Sequence, residues 1–149
     1  PEHRLEPIGE SDDVVWYNDS KATTPHAAAT AIRAFDSLVL IAGGSRKGVD
    51  LSPMAEDADR VRAVVAIGEA AEEVRGVFTP STRVVDAASM PEAIEIAASI
   101  AEPGDAVVLS PGCASFDWYR NYEDRGTEFK RLVRERFAAT ATSVTEHSA

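Results

Sequence analysis

The chain has 149 residues, 44% of them hydrophobic, and a net charge of −10 from 15 basic and 25 acidic side chains. That length fits one domain of ordinary size with enough apolar material for a core. The acidic balance argues against general nucleic-acid binding, which needs a basic surface to neutralise phosphates, and no apolar run approaches the roughly 20 residues of a membrane span. Pro1–Glu10 holds acids and a proline where a signal peptide would be apolar. The single cysteine, Cys113, cannot form an internal disulfide and suits a reducing cytoplasm. His3, His26 and His147 show no ligand spacing, so no metal site is expected in this chain.

Two short strands, Arg4–Glu10 and Val14–Asn18, are expected first, joined by the polar turn Ser11-Asp12-Asp13. Thr24-Pro25 opens a helix, with threonine capping free amides and proline at the first helical position. Ala27, Ala28, Ala31, Ile32 and Phe35 form its expected buried stripe. The continuous apolar runs Leu38–Ala42, Val61–Ile67 and Ala106–Leu109 read as strands covered on both faces, with Arg83–Val85 a shorter one. Helices are expected over Glu69–Arg75 and after Ser89, where Ser89-Met90-Pro91-Glu92 has capping-box spacing and Ala93, Ile94, Ala97, Ile100 and Ala101 face inward. A last helix over Arg125–Phe137 buries Phe129, Leu132, Val133 and Phe137, and the small, polar residues Ala138–Ala149 read as a disordered tail. The alternation predicts an α/β, Rossmann-like domain: a mostly parallel sheet with helices on both faces and an N-terminal antiparallel hairpin at its edge.

Ligands on such a sheet sit outside the carboxyl ends of the strands, which directs attention to the loops after Asn18, Ala42, Ile67 and Leu109. Asn18-Asp19-Ser20-Lys21-Ala22-Thr23 is polar; helix capping explains Ser20 or Thr23 but does not require a lysine. Gly43-Gly44-Ser45-Arg46-Lys47-Gly48 is either an ordinary glycine-rich turn or a concavity of inward amides that suits anions, with two cations added. In the segment after Leu109, small residues would let a ligand reach the backbone, and Phe116, Tyr119 and Tyr122 either line a pocket or pack a helix start. Cys113 has no neighbouring histidine and reads as a small buried side chain, not a nucleophile. There is no G-x-x-x-x-G-K-[ST] loop and no G-x-G-x-x-G after a strand. A domain of this kind could handle ATP only from outside, with the phosphates held by another segment.

Together these segments resemble the third, carboxy-terminal domain of the Mur ligase family, in its D-glutamate-adding branch. The resemblance spans Glu2–Phe137 and rests on His3-Arg4-Leu5-Glu6, on Trp16-Tyr17-Asn18-Asp19-Ser20-Lys21-Ala22-Thr23, and on Gly43-Gly44-x-x-Lys47-Gly48-x-Asp50. Its most specific part is Leu109-Ser110-Pro111-x-x-Ala114-Ser115-Phe116-Asp117 followed by Tyr122-Glu123-x-Arg125-Gly126-x-x-Phe129. Residues 1–137 would be the domain. Thr24, Trp118 and Gly112-Cys113 depart from the family pattern without removing a proposed ligand.

The resemblance implies a three-domain cytoplasmic enzyme in which ATP phosphorylates the L-alanine carboxylate of UDP-N-acetylmuramoyl-L-alanine and the D-glutamate amine attacks the acyl phosphate. The first domain would hold the UDP end. The central domain would hold most of the ATP and Mg²⁺ and the catalytic residues, none of which lie in this chain, so the chain alone would be inactive. By position, Thr23 and Lys47 would hold the α-carboxylate of D-glutamate. Ser115 and the backbone near Tyr122 would hold its side-chain carboxylate, with Phe116 lining the pocket. His3, Arg4, Asp19 and Lys21 would face ATP. Two other readings stand beside this one: another Mur or folylpolyglutamate-type amide ligase, and a non-catalytic α/β binding module.

Overall fold

The computed structural model describes residues 1–45 and 48–148, and side chains as far as residue 140. Strands β1 (Glu6–Ser11) and β2 (Val14–Asn18) form an antiparallel hairpin. Its loop, Asp12-Asp13, has φ of 55° and 62°. Two left-handed residues in succession match the twist of the flanking strands, and aspartate tolerates that region better than most side chains. The remaining elements alternate: α1 (Pro25–Arg33), β3 (Leu38–Gly43), β4 (Val61–Ile67), α2 (Ala71–Phe78), β5 (Arg83–Asp86), α3 (Met90–Ile100), β6 (Ala106–Gly112) and α4 (Tyr122–Ser148). The strand order is β1-β2-β6-β3-β4-β5, and every pairing except β1–β2 is parallel. This is the expected Rossmann-like α/β sheet with an antiparallel hairpin edge.

Period-two alternation in the buried strands divides the core into two layers. Leu38, Leu40, Ala42, Val64, Ala66 and Val108 pack under α1 and α2 against Ala28, Ile32, Val74 and Phe78. Val39, Ile41, Val65, Ile67, Val107 and Leu109 pack under α3 and α4 against Met90, Ile94, Phe129 and Val133. Trp16 joins the second layer, its ring centroid 6.4 Å from that of Phe129 and 6.1 Å from that of Phe137. Each such side chain, fully buried, stabilises the fold by about 1.5–3 kcal/mol relative to exposure. The chain leaves β2 through α1 for β3, passing over the place later filled by β6. It runs outward to β5 and returns through α3 into that gap. The reversal between β6 and β3 opens a crevice at the carboxyl ends of the central strands, where open α/β sheets bind ligands.

Three elements differ from expectation. On α1, Ala29 is buried and Ala27 exposed, so the stripe is rotated by a residue; Thr24 caps it as expected, accepting from Ala27 N at 3.2 Å. Helix α2 begins at Ala71, not Glu69, because the Glu69 amide donates to Asp117 and the Ala70 amide to Gly44 O. It continues to Phe78 because Val74 and Phe78 are both buried on the core side. Helix α4 begins at Tyr122, where Asn121 caps the Asp124 amide at 2.8 Å, and its backbone runs to Ser148 through the residues expected to lack structure. No glycine or proline follows Gly126, and the alanines beyond Phe137 favour continuation.

At the opposite, amino end of the strands, Asp105 ties three segments together. It accepts from Ser37 Oγ at 2.6 Å, Arg62 Nε at 2.6 Å and Glu102 N at 2.8 Å. Burial works against its charge, but the hydrogen bonds from Arg62 and Ser37 hold the carboxyl below the usual range. A depressed folded-state pKa stabilises the fold above the unfolded-state value and loses that contribution as pH falls through the folded one. Asp105→Asn should therefore cost about 1.5–3 kcal/mol at neutral pH, with the gap to the parent chain closing below about pH 4. Urea unfolding at several pH values checks this, and a gap independent of pH would refute it.

Candidate functional site

Four loops meet above the crevice: 19–24 after β2, 44 onward after β3, 68–70 after β4 and 113–121 after β6. They are sewn to one another by backbone groups. Gly44 N donates to Ile67 O at 3.1 Å, Ser45 N to Ala114 O at 2.8 Å and Ala70 N to Gly44 O at 2.9 Å. Asp117 adds side-chain ties, accepting from Glu69 N at 3.0 Å, while its own amide donates to Ser45 Oγ at 3.0 Å. For Gly44 and Ser45 these contacts favour the first of the two readings of the glycine-rich loop, an ordinary turn. The amides of Gly44 and Ser45 are spent on neighbouring loops, and the glycines are there for close approach. Gly44 has φ of 141°, and a Cβ on it would overlap the Ala114 carbonyl oxygen. A Cβ on Gly43, at φ of 128°, would overlap that of Ile67.

Arg125, in the first turns of α4, is 1% exposed. Its Nε donates to Ser20 Oγ at 2.9 Å, one terminal nitrogen to Ser20 O at 2.8 Å and the other to Cys113 O at 3.1 Å. Ser20 Oγ in turn donates to Tyr122 O at 2.7 Å. One guanidinium thus joins the loop after β2, the loop after β6 and the start of α4. Burial lowers its pKa to about 10, still well above neutrality. The sequence reading quoted Arg125 within the resembling string but assigned it no role; its signal was an arginine at the start of a helix that otherwise buries apolar residues.

These loops enclose a cleft of about 510 Å³. Thr23, Ser115, Phe116 and Tyr122 all line it, with Gly48, Glu73 and Glu123. Ser115 is 2% exposed, and its carbonyl accepts from Tyr119 N at 2.8 Å, fixing the turn that carries it. Phe116 is 64% exposed and stands at the rim with Val49. Tyr122 and Glu123, the first residues of α4, line the cleft, and the dipole of a helix start favours an anion. Lys47 lies outside the described residues. Cys113 is buried in the wall, and burial raises its thiol to about 11, in keeping with a packing role.

A second cleft of about 250 Å³ holds Arg4, Asp19 and Lys21 with Leu5 and Thr30. Both oxygens of Asp19 are engaged, one by Leu5 N at 2.9 Å and the other by Ser110 Oγ at 2.7 Å. Burial raises its pKa, opposed by those hydrogen bonds. His3, expected beside them, is instead 5% exposed in packing. It accepts from Asn18 Nδ2 at 2.9 Å, its ring lies 6.0 Å from that of Tyr122, and it fills the space above Gly126. Packed against Asn18, Tyr122 and Gly126, it is not among the residues lining the cleft of Arg4 and Lys21.

The fold and the paired clefts define a Rossmann-like α/β domain that gathers hydroxyls, a helix start and cations at one sheet rim. The sequence pattern of the family described as "Mur ligase, glutamate ligase domain" matches residues 3–113, and the chain belongs to that family. It is 47% identical over 139 residues to the UDP-N-acetylmuramoylalanine–D-glutamate ligase of Symbiobacterium thermophilum, covering 89% of this chain and 30% of that protein. With the ligase of the same name from Salinibacter ruber it is 49% identical, covering 88% and 29%. The chain therefore spans about 30% of the length of these relatives. Among solved structures, UDP-N-acetylmuramate-alanine ligase of Thermotoga maritima aligns with a TM-score of 0.63 at 11% identity, covering 93% of this chain and 30% of that one. That likeness shows the shared fold.

The close approaches at Gly44 make a direct prediction. Gly44→Ala should destabilise the chain by about 1–3 kcal/mol from the disfavoured backbone conformation, with the overlap on Ala114 O adding to it. A thermal midpoint equal to that of the parent would show that the loop can relax and that the glycine is not required.

Proposed function

We propose that this chain is the D-glutamate-binding domain of an ATP-dependent ligase that extends UDP-N-acetylmuramoyl-L-alanine in peptidoglycan synthesis. The observation carrying this reading is that Thr23 and Ser115, from loops at opposite ends of the sequence, line the same cleft as the amino end of α4. A dicarboxylate needs donors at both ends, and the lining includes two hydroxyl-bearing residues, Thr23 and Ser115, together with the start of α4. In this reading Thr23 and Lys47 take the α-carboxylate, and Ser115 with the first amides of α4 takes the side-chain carboxylate. Phe116 shields the pocket from solvent. The domain's work is orientation: holding both carboxylates leaves the amine free to be aimed at an activated carboxyl carbon.

The second cleft suits the nucleotide side of the reaction. Arg4 and Lys21 are exposed cations there, and a guanidinium fork matches phosphate oxygens. Asp19, with both oxygens engaged, shapes this cleft by tying Leu5 to Ser110. ATP, when bound, supplies the phosphoryl group that activates the acceptor carboxylate. Among the described residues no group of three His, Cys, Asp or Glu is poised for a metal; the Mg²⁺ and the catalytic groups are assigned to further domains of the same enzyme, and residues 1–137 to this one. The reaction belongs in the cytoplasm, where ATP and nucleotide-linked sugars are made.

Two experiments test the reading. The chain by itself, given ATP, D-glutamate and the nucleotide substrate, should form no product; turnover by the isolated chain would overturn the division of labour. In the full-length enzyme, Ser115→Ala should weaken D-glutamate use by about 1 kcal/mol and Lys47→Ala by about 1.5–3 kcal/mol, as expected for a neutral and a charged hydrogen bond. An unchanged kcat/KM for D-glutamate in either variant would remove that residue from the site.

A further inference from the structure

The described lining of the main cleft includes two carboxylates, Glu73 and Glu123, and no lysine or arginine. Arg46 and Lys47, between the lining residues Ser45 and Gly48, lie outside the described residues; among those described, Arg125 is a cation placed behind the wall. It donates to the carbonyl of Cys113, a lining residue, and through Ser20 Oγ it is linked to the carbonyl of Tyr122, another lining residue. Its three partners, Ser20 Oγ, Ser20 O and Cys113 O, are all neutral. Among the described residues no carboxylate forms an ion pair with it. Asp117, the acid that bears on it electrostatically, is bound instead to the amides of Glu69 and Trp118.

A guanidinium taken out of water without an ionic partner carries a desolvation cost that neutral acceptors offset only in part. Its charge is also poorly screened, because the medium around it has a low dielectric. Both effects favour an anion entering the adjacent cleft. We propose that Arg125 is a positioning residue that supplies a standing positive charge to the cleft and makes it select an amino acid with a side-chain carboxylate over one with a neutral side chain. This rests on the D-glutamate reading and goes beyond it, by giving part of the specificity to a group that has no seat in the pocket. The alternative is scaffolding alone: a planar fork is well shaped to bridge three acceptors whatever its charge.

Charge and scaffold separate in the full-length ligase carrying Arg125→Gln or Arg125→Lys, with KM and kcat read for D-glutamate and for D-glutamine, its neutral side-chain amide. Arg125→Gln should raise KM for D-glutamate by about tenfold while kcat changes by less than about threefold, and the preference for D-glutamate over D-glutamine should narrow by about the same tenfold. Arg125→Lys should restore most of both. Unchanged preference in the glutamine variant overturns the proposal, as does a lysine variant that loses the preference equally. If Arg125→Gln gives no cooperative thermal transition, the lysine variant decides: preference kept within about threefold supports the charge, and its collapse shows that only the fork matters. A parent enzyme that does not consume D-glutamate would sink the functional reading and this inference with it. Normal use of D-glutamate with unaltered preference in the variants would sink only the role of Arg125.

Discussion

The buried guanidinium of Arg125 is the contact on which the binding face depends. The strands deliver the loops to one rim, but strand ends do not set where a loop of several residues points. Arg125 does so by donating hydrogen bonds to Ser20 and Cys113 at once, while the Ser20 hydroxyl donates to the Tyr122 carbonyl. Thr23 is three residues from Ser20 and Ser115 two from Cys113, so both sit close to the segments that this one side chain holds. A planar group with five donors is well shaped for such a bridge.

Around that hub the site is closed by backbone chemistry. The amides of Gly44, Ser45 and Ala70 each satisfy a carbonyl on a neighbouring loop. A loop whose amides are so committed resists being moved by a ligand, and the orientation of a nucleophile for attack needs that preorganisation. The amino end of α4 belongs to the same wall. Asn121 caps the Asp124 amide, and the first residues of the helix, Tyr122 and Glu123, line the cleft.

The Asp105 cluster does the corresponding work at the other end of the sheet. It joins the start of β6 to Ser37 and Arg62 beside the starts of β3 and β4. The parallel central strands are thereby registered from their amino ends, and their carboxyl ends emerge level beneath the loops.

Much of this was legible from residue order. Continuous apolar runs in β3, β4 and β6 and the 3.6-residue stripes of the helices dictate a layered α/β sheet, because each element must bury its apolar side whatever its neighbours are. The strings around Thr23 and Ser115 marked the loops that line the cleft. Features hidden in the sequence were those decided by contacts distant along the chain. Helix α2 starts late because Asp117 and Gly44 hold the two residues before it. His3 packs inward because Gly126 leaves room for its ring. Gly43 and Gly44 are needed for close approach to neighbouring carbonyls. By itself the sequence determined that buried strands alternate with helices behind an opening hairpin and which family the chain resembles, since these follow from local pattern. Only the tertiary structure decided that Arg125 is buried beside the cleft with, among the described residues, no counter-charge paired to it, because that depends on segments far apart along the chain arriving at one side chain.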